Sequence, residues 1–220
     1  MIRGIVFDMD GLMFDTERLV IKAWNFAGKQ KGYNITEDIV VRTLGLNAEN
    51  TRHIFLEQLG NDFDYDAIRR VRIDYVTDYI EKNGIPIKTG LTELLDFLKS
   101  NHYKMTVATS TDKEKAKYYF QKANISNYFD EIVCGDMIER GKPEPDIYLK
   151  ASEIIGVSPD ECIALEDSIM GILSAYRAGM KPVMIPDIVK PNGEISKILY
   201  ANLPTLLDVI KLLNNQNKNL

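Results

Sequence analysis

Five short segments, residues 2–7, 105–108, 131–134, 162–165 and 182–185, are rich in β-branched and apolar residues and do not alternate polar with apolar side chains. A strand with one face in water alternates; a strand covered on both faces reads as a continuous apolar run. Between the later runs the apolar spacing changes to that of helices. Leu91, Leu94, Leu95 and Leu98 share one face, and similar patterns cover 116–123, 147–155 and 169–178. Strand alternating with helix gives an α/β fold, a parallel sheet with helices on both faces. A last helix is expected over 205–213, followed by a frayed tail at 214–220.

The stretch from 15 to 84 breaks this rhythm. It carries several helix-period segments and no convincing strand. Ile68, Val71, Tyr75 and Tyr79 recur on one helical face, while Arg69, Arg70, Asp74 and Asp78 fall largely elsewhere. Thr36 and Asn47 suit helix N-caps, and Gly45, Gly60 and Gly84 suit helix ends. The expected layout is a catalytic core of 1–14 and 85–220, interrupted by an inserted α-helical cap at 15–84.

In an open parallel sheet, ligands bind beyond the carboxyl ends of the strands. The first run ends in Asp8-Met9-Asp10-Gly11, the second in Thr109-Ser110-Thr111-Asp112, and the fourth in Glu166-Asp167-Ser168; the third is followed by Gly141-Lys142-Pro143. Asp8 and Asp10, two apart on an extended chain, point to the same side. With Asp167 they form a cluster whose mutual repulsion a divalent cation relieves, and an oxygen-only donor set suits Mg²⁺. Lys142 supplies fixed positive charge for a transferring phosphoryl group. Thr109 offers a hydroxyl to a phosphate oxygen, with Ser110 or Thr111 as alternative donors, and the Ser110 amide contributes if the following helix opens there. In that arrangement Asp8 attacks phosphorus, and Asp10 protonates the leaving oxygen and later accepts a proton from water.

Charge and composition narrow the partner. With 27 Lys and Arg against 32 Asp and Glu, the chain carries a formal charge of −5, contrary to the clustered basic residues that bind nucleic acid. A small phosphorylated metabolite is the expected partner. Charged residues interrupt every apolar segment well short of the roughly 20 residues that cross a bilayer, and no export signal opens the chain. Two cysteines, Cys134 and Cys162, lie inside apolar runs; they read as core thiols of a cytoplasmic protein. Oligomeric state is left open.

Taken together, four segments resemble the haloacid dehalogenase superfamily, in particular its members with a small helical cap after the first strand. They are Phe7-Asp8-Met9-Asp10-Gly11 with Asp15-Thr16-Glu17, Thr109-Ser110, Gly141-Lys142-Pro143-Glu144-Pro145-Asp146, and Leu165-Glu166-Asp167-Ser168 followed by Gly171. The resemblance implies a Rossmann-like core, an aspartyl-phosphate on Asp8, and Mg²⁺ held by Asp8, the Asp10 backbone carbonyl and Asp167, with Glu166 assisting. A carboxylate at Asp10 sets the chain apart from the dehalogenases of that family.

Within the family the sequence is similar to sugar-phosphate phosphatases and to β-phosphoglucomutase. The mutase resemblance calls for a histidine where this chain has Val20, and for cap-loop cations where it has Leu44 and Ala48. Hydrolysis is therefore expected, with a sugar phosphomutase as the alternative and a receiver-like phosphoaspartate signalling module as the non-enzymatic one. Arg69, Arg70 and Arg72 read as a solvated helix face, His53 and His102 as structural, and Trp24 and Phe26 as cap packing.

Overall fold

Each of the five apolar runs forms a strand in the computed structural model, which describes residues 1–217. They are β1 (Gly4–Phe7), β2 (Lys104–Thr109), β3 (Val133–Cys134), β4 (Cys162–Glu166) and β5 (Lys181–Met184), and a short β6 (Ala201–Asn202) is added at one edge. The sheet runs β3-β2-β1-β4-β5-β6, parallel throughout. Every residue of β1 and β4 is buried. Alternation along β1 serves both faces: Ile5 and Phe7 enter one apolar cluster, Val6 the other.

Five helices separate β1 from β2, and the first four form the insert: α1 (Glu17–Gln30), α2 (Glu37–Val41), α3 (Ala48–Leu59) and α4 (Tyr65–Asn83). They enclose a core of their own, which includes Trp24, Ile35, Val40, Phe55, Phe63 and Ile68. Trp24 and Phe55 pack with ring centroids 4.4 Å apart. Asn47 caps α3 by accepting the Asn50 N–H at 2.9 Å, whereas Thr36 precedes α2 without a side-chain capping bond. Two adjacent chain passages link these helices to the sheet. Asp15 N–H donates to Pro86 O and Lys88 N–H to Met13 O, both at 2.9 Å.

The sheet is covered by α5 (Leu91–Ser100), α6 (Lys113–Lys122), α7 (Asp146–Ile155), α8 (Ile169–Arg177), α9 (Ile195–Ile198) and α10 (Leu206–Asn217). Leu91, Leu94, Leu95 and Leu98 of α5 are all fully buried, each contributing at most about 1.5–3 kcal/mol of transfer free energy.

Three details depart from the sequence reading. The edge strand β6 was not anticipated. Helix α10 continues through Asn217, so 214–217 is helical where a frayed tail was expected, and 218–220 lie outside the described residues. In α4 the buried stripe is Tyr65, Ile68, Val76 and Ile80, while Tyr79 is 40% exposed. Among the described residues no helix is long and apolar enough to cross a membrane.

Candidate active site

Asp8 extends β1 by one residue: its N–H donates to Leu165 O of β4 at 2.9 Å. It therefore sits where β1 is flanked by β2 on one side and β4 on the other, the switch point at which such sheets bind ligands. The chain then turns back, with Gly11 at φ 88° and its N–H bonded to Phe14 O at 2.8 Å. A Cβ at Gly11 would lie 2.1 Å from Asp167 Oδ2 and 2.8 Å from Glu17 Cδ. Only glycine meets both the left-handed backbone and the close approach.

Lys142 reaches this point from 134 residues further along the chain and is fully buried. Its ammonium donates to Asp8 Oδ1 at 2.5 Å, Glu166 Oε1 at 2.6 Å and Ala108 O at 3.1 Å, which uses all three of its protons. Burial alone would lower the lysine pKa, but Asp8 and Glu166 hold it above the ordinary range.

Glu166 is anchored more heavily still. Oε1 also accepts the Tyr148 hydroxyl at 2.8 Å, and Oε2 accepts the Asp167 and Ser168 amides and the Ser168 hydroxyl at 3.0–3.1 Å. A Cβ at Gly171 would stand 1.6 Å from Glu166 Oε1. The cap of α8 is Ser168, whose hydroxyl oxygen accepts the Gly171 N–H. Glu166 and Asp167 are thereby free of capping duty.

Ligand atoms of Asp8, Glu166 and Asp167 lie within 4.8 Å of one another. Burial pushes Asp8 up to about 8, with Glu166 and Asp10 adding to the rise and Lys142 opposing it. Burial likewise raises Asp167, helped by the charges of Glu17, Glu166 and Asp8. Glu17 is pushed up to about 8 by burial and by Asp187, Asp8 and Asp10. Carboxyls this disfavoured as anions, offering oxygen donors alone, fit a hard divalent cation such as Mg²⁺.

The carboxylate of Asp10 stands apart from that cluster. Its two oxygens accept the hydroxyls of Thr16 and Thr111, each at 2.7 Å. Thr109 is buried, its hydroxyl oxygen accepting the Thr111 N–H at 3.1 Å. The Ser110 hydroxyl donates to Gly45 O at 3.0 Å, tying the loop between α2 and α3 to the sheet edge. Helix α6 opens at Lys113, behind an Asp112 cap, so the condition set for the Ser110 amide is not met: it belongs to the preceding loop rather than to a helix N-terminus.

A cavity of about 120 Å³ is lined by Asp8, Asp10 and Thr109 on one side and by Val20, Leu44 and Arg72 on the other. It shares walls with a larger cavity of about 730 Å³. Arg69 and Arg72 both face that space and only Arg70 is exposed, which corrects the reading of all three as a solvated face. Sequence reasoning also missed Lys115, Glu17 and Tyr148 as parts of the site. Trp24 packs the helices as expected and lines both cavities; Phe26, 41% exposed, packs its ring against Tyr75 of α4 with centroids 5.0 Å apart.

An acidic and lysine-bearing cluster at the switch point of a parallel sheet, under an inserted helical unit, defines a class, and the chain belongs to it: the haloacid dehalogenase-like hydrolases, matched over residues 5–185. It is an enzyme of that family, which sets aside the signalling-module reading. The chain is 29% identical over 211 residues to the phosphorylated carbohydrates phosphatase of Thermotoga maritima, covering 96% of each. It is 29% identical over 182 residues to the fructose-1-phosphate phosphatase YqaB of Escherichia coli, covering 82% of this chain and 94% of that protein. Its fold matches the crystal structure of β-phosphoglucomutase from Clostridium difficile with a TM-score of 0.82 at 23% identity, over 100% of this chain and 98% of the other.

Proposed function

We propose that this protein is a Mg²⁺-dependent phosphatase of small phosphorylated metabolites, with sugar phosphates as the substrate class, acting through an aspartyl-phosphate on Asp8. The observation that carries this reading is the 2.5 Å approach of Lys142 to Asp8 Oδ1 at the end of β1. A buried ammonium fixed there stabilises both the attacking carboxylate and the negative charge of an incoming phosphoryl group. The relatives named as phosphatases of phosphorylated carbohydrates and of fructose 1-phosphate support the same chemistry.

Asp8 and Asp167, with the Asp10 backbone carbonyl, would hold the cation, and Glu166, already engaged by five donors, would orient them. When bound, Mg²⁺ supplies positive charge that offsets the clustered carboxylates and the phosphate oxygens. Asp8 attacks phosphorus while Thr109 and Ser110 bind the phosphoryl oxygens and Lys142, held by Asp8, Glu166 and Ala108, supplies fixed positive charge beside them. Asp10, steadied by Thr16 and Thr111, donates a proton to the leaving oxygen and then withdraws one from the water that cleaves the acyl phosphate. The helices of 15–84 act as a cap that excludes bulk water, hinged at 11–15 and 84–90. The enzyme is read as cytoplasmic, in keeping with two buried free thiols.

Free phosphate released from a panel of phosphate esters, with and without Mg²⁺, tests the proposal. Mg²⁺-dependent release is expected. Isomerised sugar phosphate with little free phosphate would show a mutase instead, and no turnover of any ester would remove the reading.

A further inference from the structure

Two cations, Arg72 and Lys115, line the cavity beside Asp10 and form no ion pair among the described residues. Arg72, partly buried, lies on α4 in line between the buried Ile68 and Val76. Its guanidinium sits 5.5 Å from the Trp24 ring centroid, and its Nε is buried with no hydrogen-bond partner among the described residues. Lys115, in the first turn of α6, holds its ammonium 5.1 Å from the Tyr119 ring. Both line the cavity that contains Asp8 and Asp10. Nearby Asp112 has Oδ1 engaged in capping the Lys115 N–H at 2.9 Å.

A buried donor left unpaired costs on the order of 1–3 kcal/mol, more when charged. Of the two cations, Arg72 carries such a donor in its Nε, while Lys115 is partly open to the cavity. Burial lowers the Arg72 pKa, and burial and then the charge of Arg72 bring Lys115 down to about 8. An anion placed between them relieves both the desolvation and the mutual repulsion.

The direction of the leaving group says which anion. An acid that protonates the departing oxygen must touch it, so the released alcohol lies on the Asp10 side of phosphorus. Asp10 is the site carboxylate whose charge reaches both Arg72 and Lys115. Lys142, in contrast, has all its donors taken by Asp8, Glu166 and Ala108.

We propose, building on the phosphatase reading, that Arg72 and Lys115 form an anion subsite for the leaving group, so that the preferred ester carries a second anionic substituent, carboxylate or phosphate, on the alcohol it releases. The adjoining cavity of about 730 Å³ has the size of a small-metabolite pocket. The Trp24 face holds the guanidinium fork, which suits either a carboxylate or a phosphate.

The test compares three esters that differ only at the carbon farthest from the scissile phosphate: sorbitol 6-phosphate (neutral), 6-phosphogluconate (carboxylate) and sorbitol 1,6-bisphosphate (phosphate). The wild-type enzyme should favour at least one doubly anionic ester over the neutral one in kcat/KM by roughly ten- to a hundredfold. Arg72→Met and Lys115→Met should each bring that ratio toward one, with Arg72→Lys retaining part of it. Equal kcat/KM on all three, or a preference that survives both Met substitutions, overturns the subsite. Should the wild type hydrolyse none of them, the functional reading falls, and calorimetric titration of the same esters decides the subsite separately. Tighter binding of a doubly anionic ester, lost in Arg72→Met, supports it; equal binding or none overturns it. Lys115→Met keeps the question answerable if Arg72→Met fails to fold.

Discussion

The wall of the cavity around Asp8 and the wall around Arg72 are built on opposite terms. Around Asp8 the charges are matched to one another: three donors of Lys142 meet three acceptors, and Glu166 accepts five hydrogen bonds. Around Arg72 and Lys115 the charges face the rings of Trp24 and Tyr119 and an open cavity, with Asp10, Asp112 and Glu114 in its walls but not in ion pairs with them among the described residues. A preorganised network gains little from a ligand beyond the reacting group, because its partners are already in place. An unmatched one gains its partner only when a ligand arrives. On the proposed reading, chemistry belongs to the sheet edge and selectivity to the surface where the helical insert meets α6.

Removing the nucleophile is the most severe way to break the matched wall. Asp8→Asn should lower turnover by about 10⁴-fold or more while circular dichroism shows the fold retained; appreciable residual hydrolysis would move the attack to another residue. Next comes the ion that holds the network together. Lys142→Met leaves Asp8 and Glu166 facing one another, and should cost about 3–5 kcal/mol in urea denaturation and about 10²- to 10³-fold in kcat. A stability change within error would show that Lys142 is dispensable to the network.

The raised carboxyls give the matched wall a pH signature. Asp8 and Glu17, both near 8, and the raised Asp167 bind protons more tightly in the folded state than in the unfolded chain. The unfolded chain therefore holds fewer protons between the ordinary carboxyl range and about pH 8, so stability falls as pH rises through that window. In chelator, the melting midpoint should drop from about pH 5 to about pH 8, and saturating Mg²⁺ should restore more of it at the higher pH. A midpoint that climbs with pH in chelator would contradict this. The mildest change, Tyr148→Phe, removes one of the five donors to Glu166 and should cost about 1 kcal/mol of stability. A zero cost would show the remaining donors to be sufficient.

The same contrast explains what the sequence disclosed. The wall around Asp8 comes from strand ends, and strand ends were readable because continuous apolar runs in 2–7, 105–108 and 162–165 mark buried parallel strands. Asp8, Thr109, Glu166 and Asp167 could accordingly be named in advance, and Lys142 from the Gly141-Lys142-Pro143 segment beyond the third run. Edge strand β6 escaped because two residues, one of them exposed, leave no run to detect.

Arg72 escaped for a different reason. Apolar periodicity picks Val71, Tyr75 and Tyr79 as the companions of Ile68, since it has no means of placing a cation in line with buried residues; the buried residues are Tyr65, Ile68, Val76 and Ile80, with the partly buried Arg72 in line between Ile68 and Val76. Thr16 and Thr111 were visible as residues, but their joint hold on Asp10 joins positions 101 residues apart in one case, and only tertiary structure supplies that.

The central claim is covalent: the phosphoryl group passes through Asp8. Enzyme quenched in acid during turnover of a ³²P-labelled ester and digested with trypsin should carry label on the peptide of residues 4–18, and Asp8→Asn should carry none. Label on a different peptide, or rapid phosphate release with no label on the protein, would contradict the account.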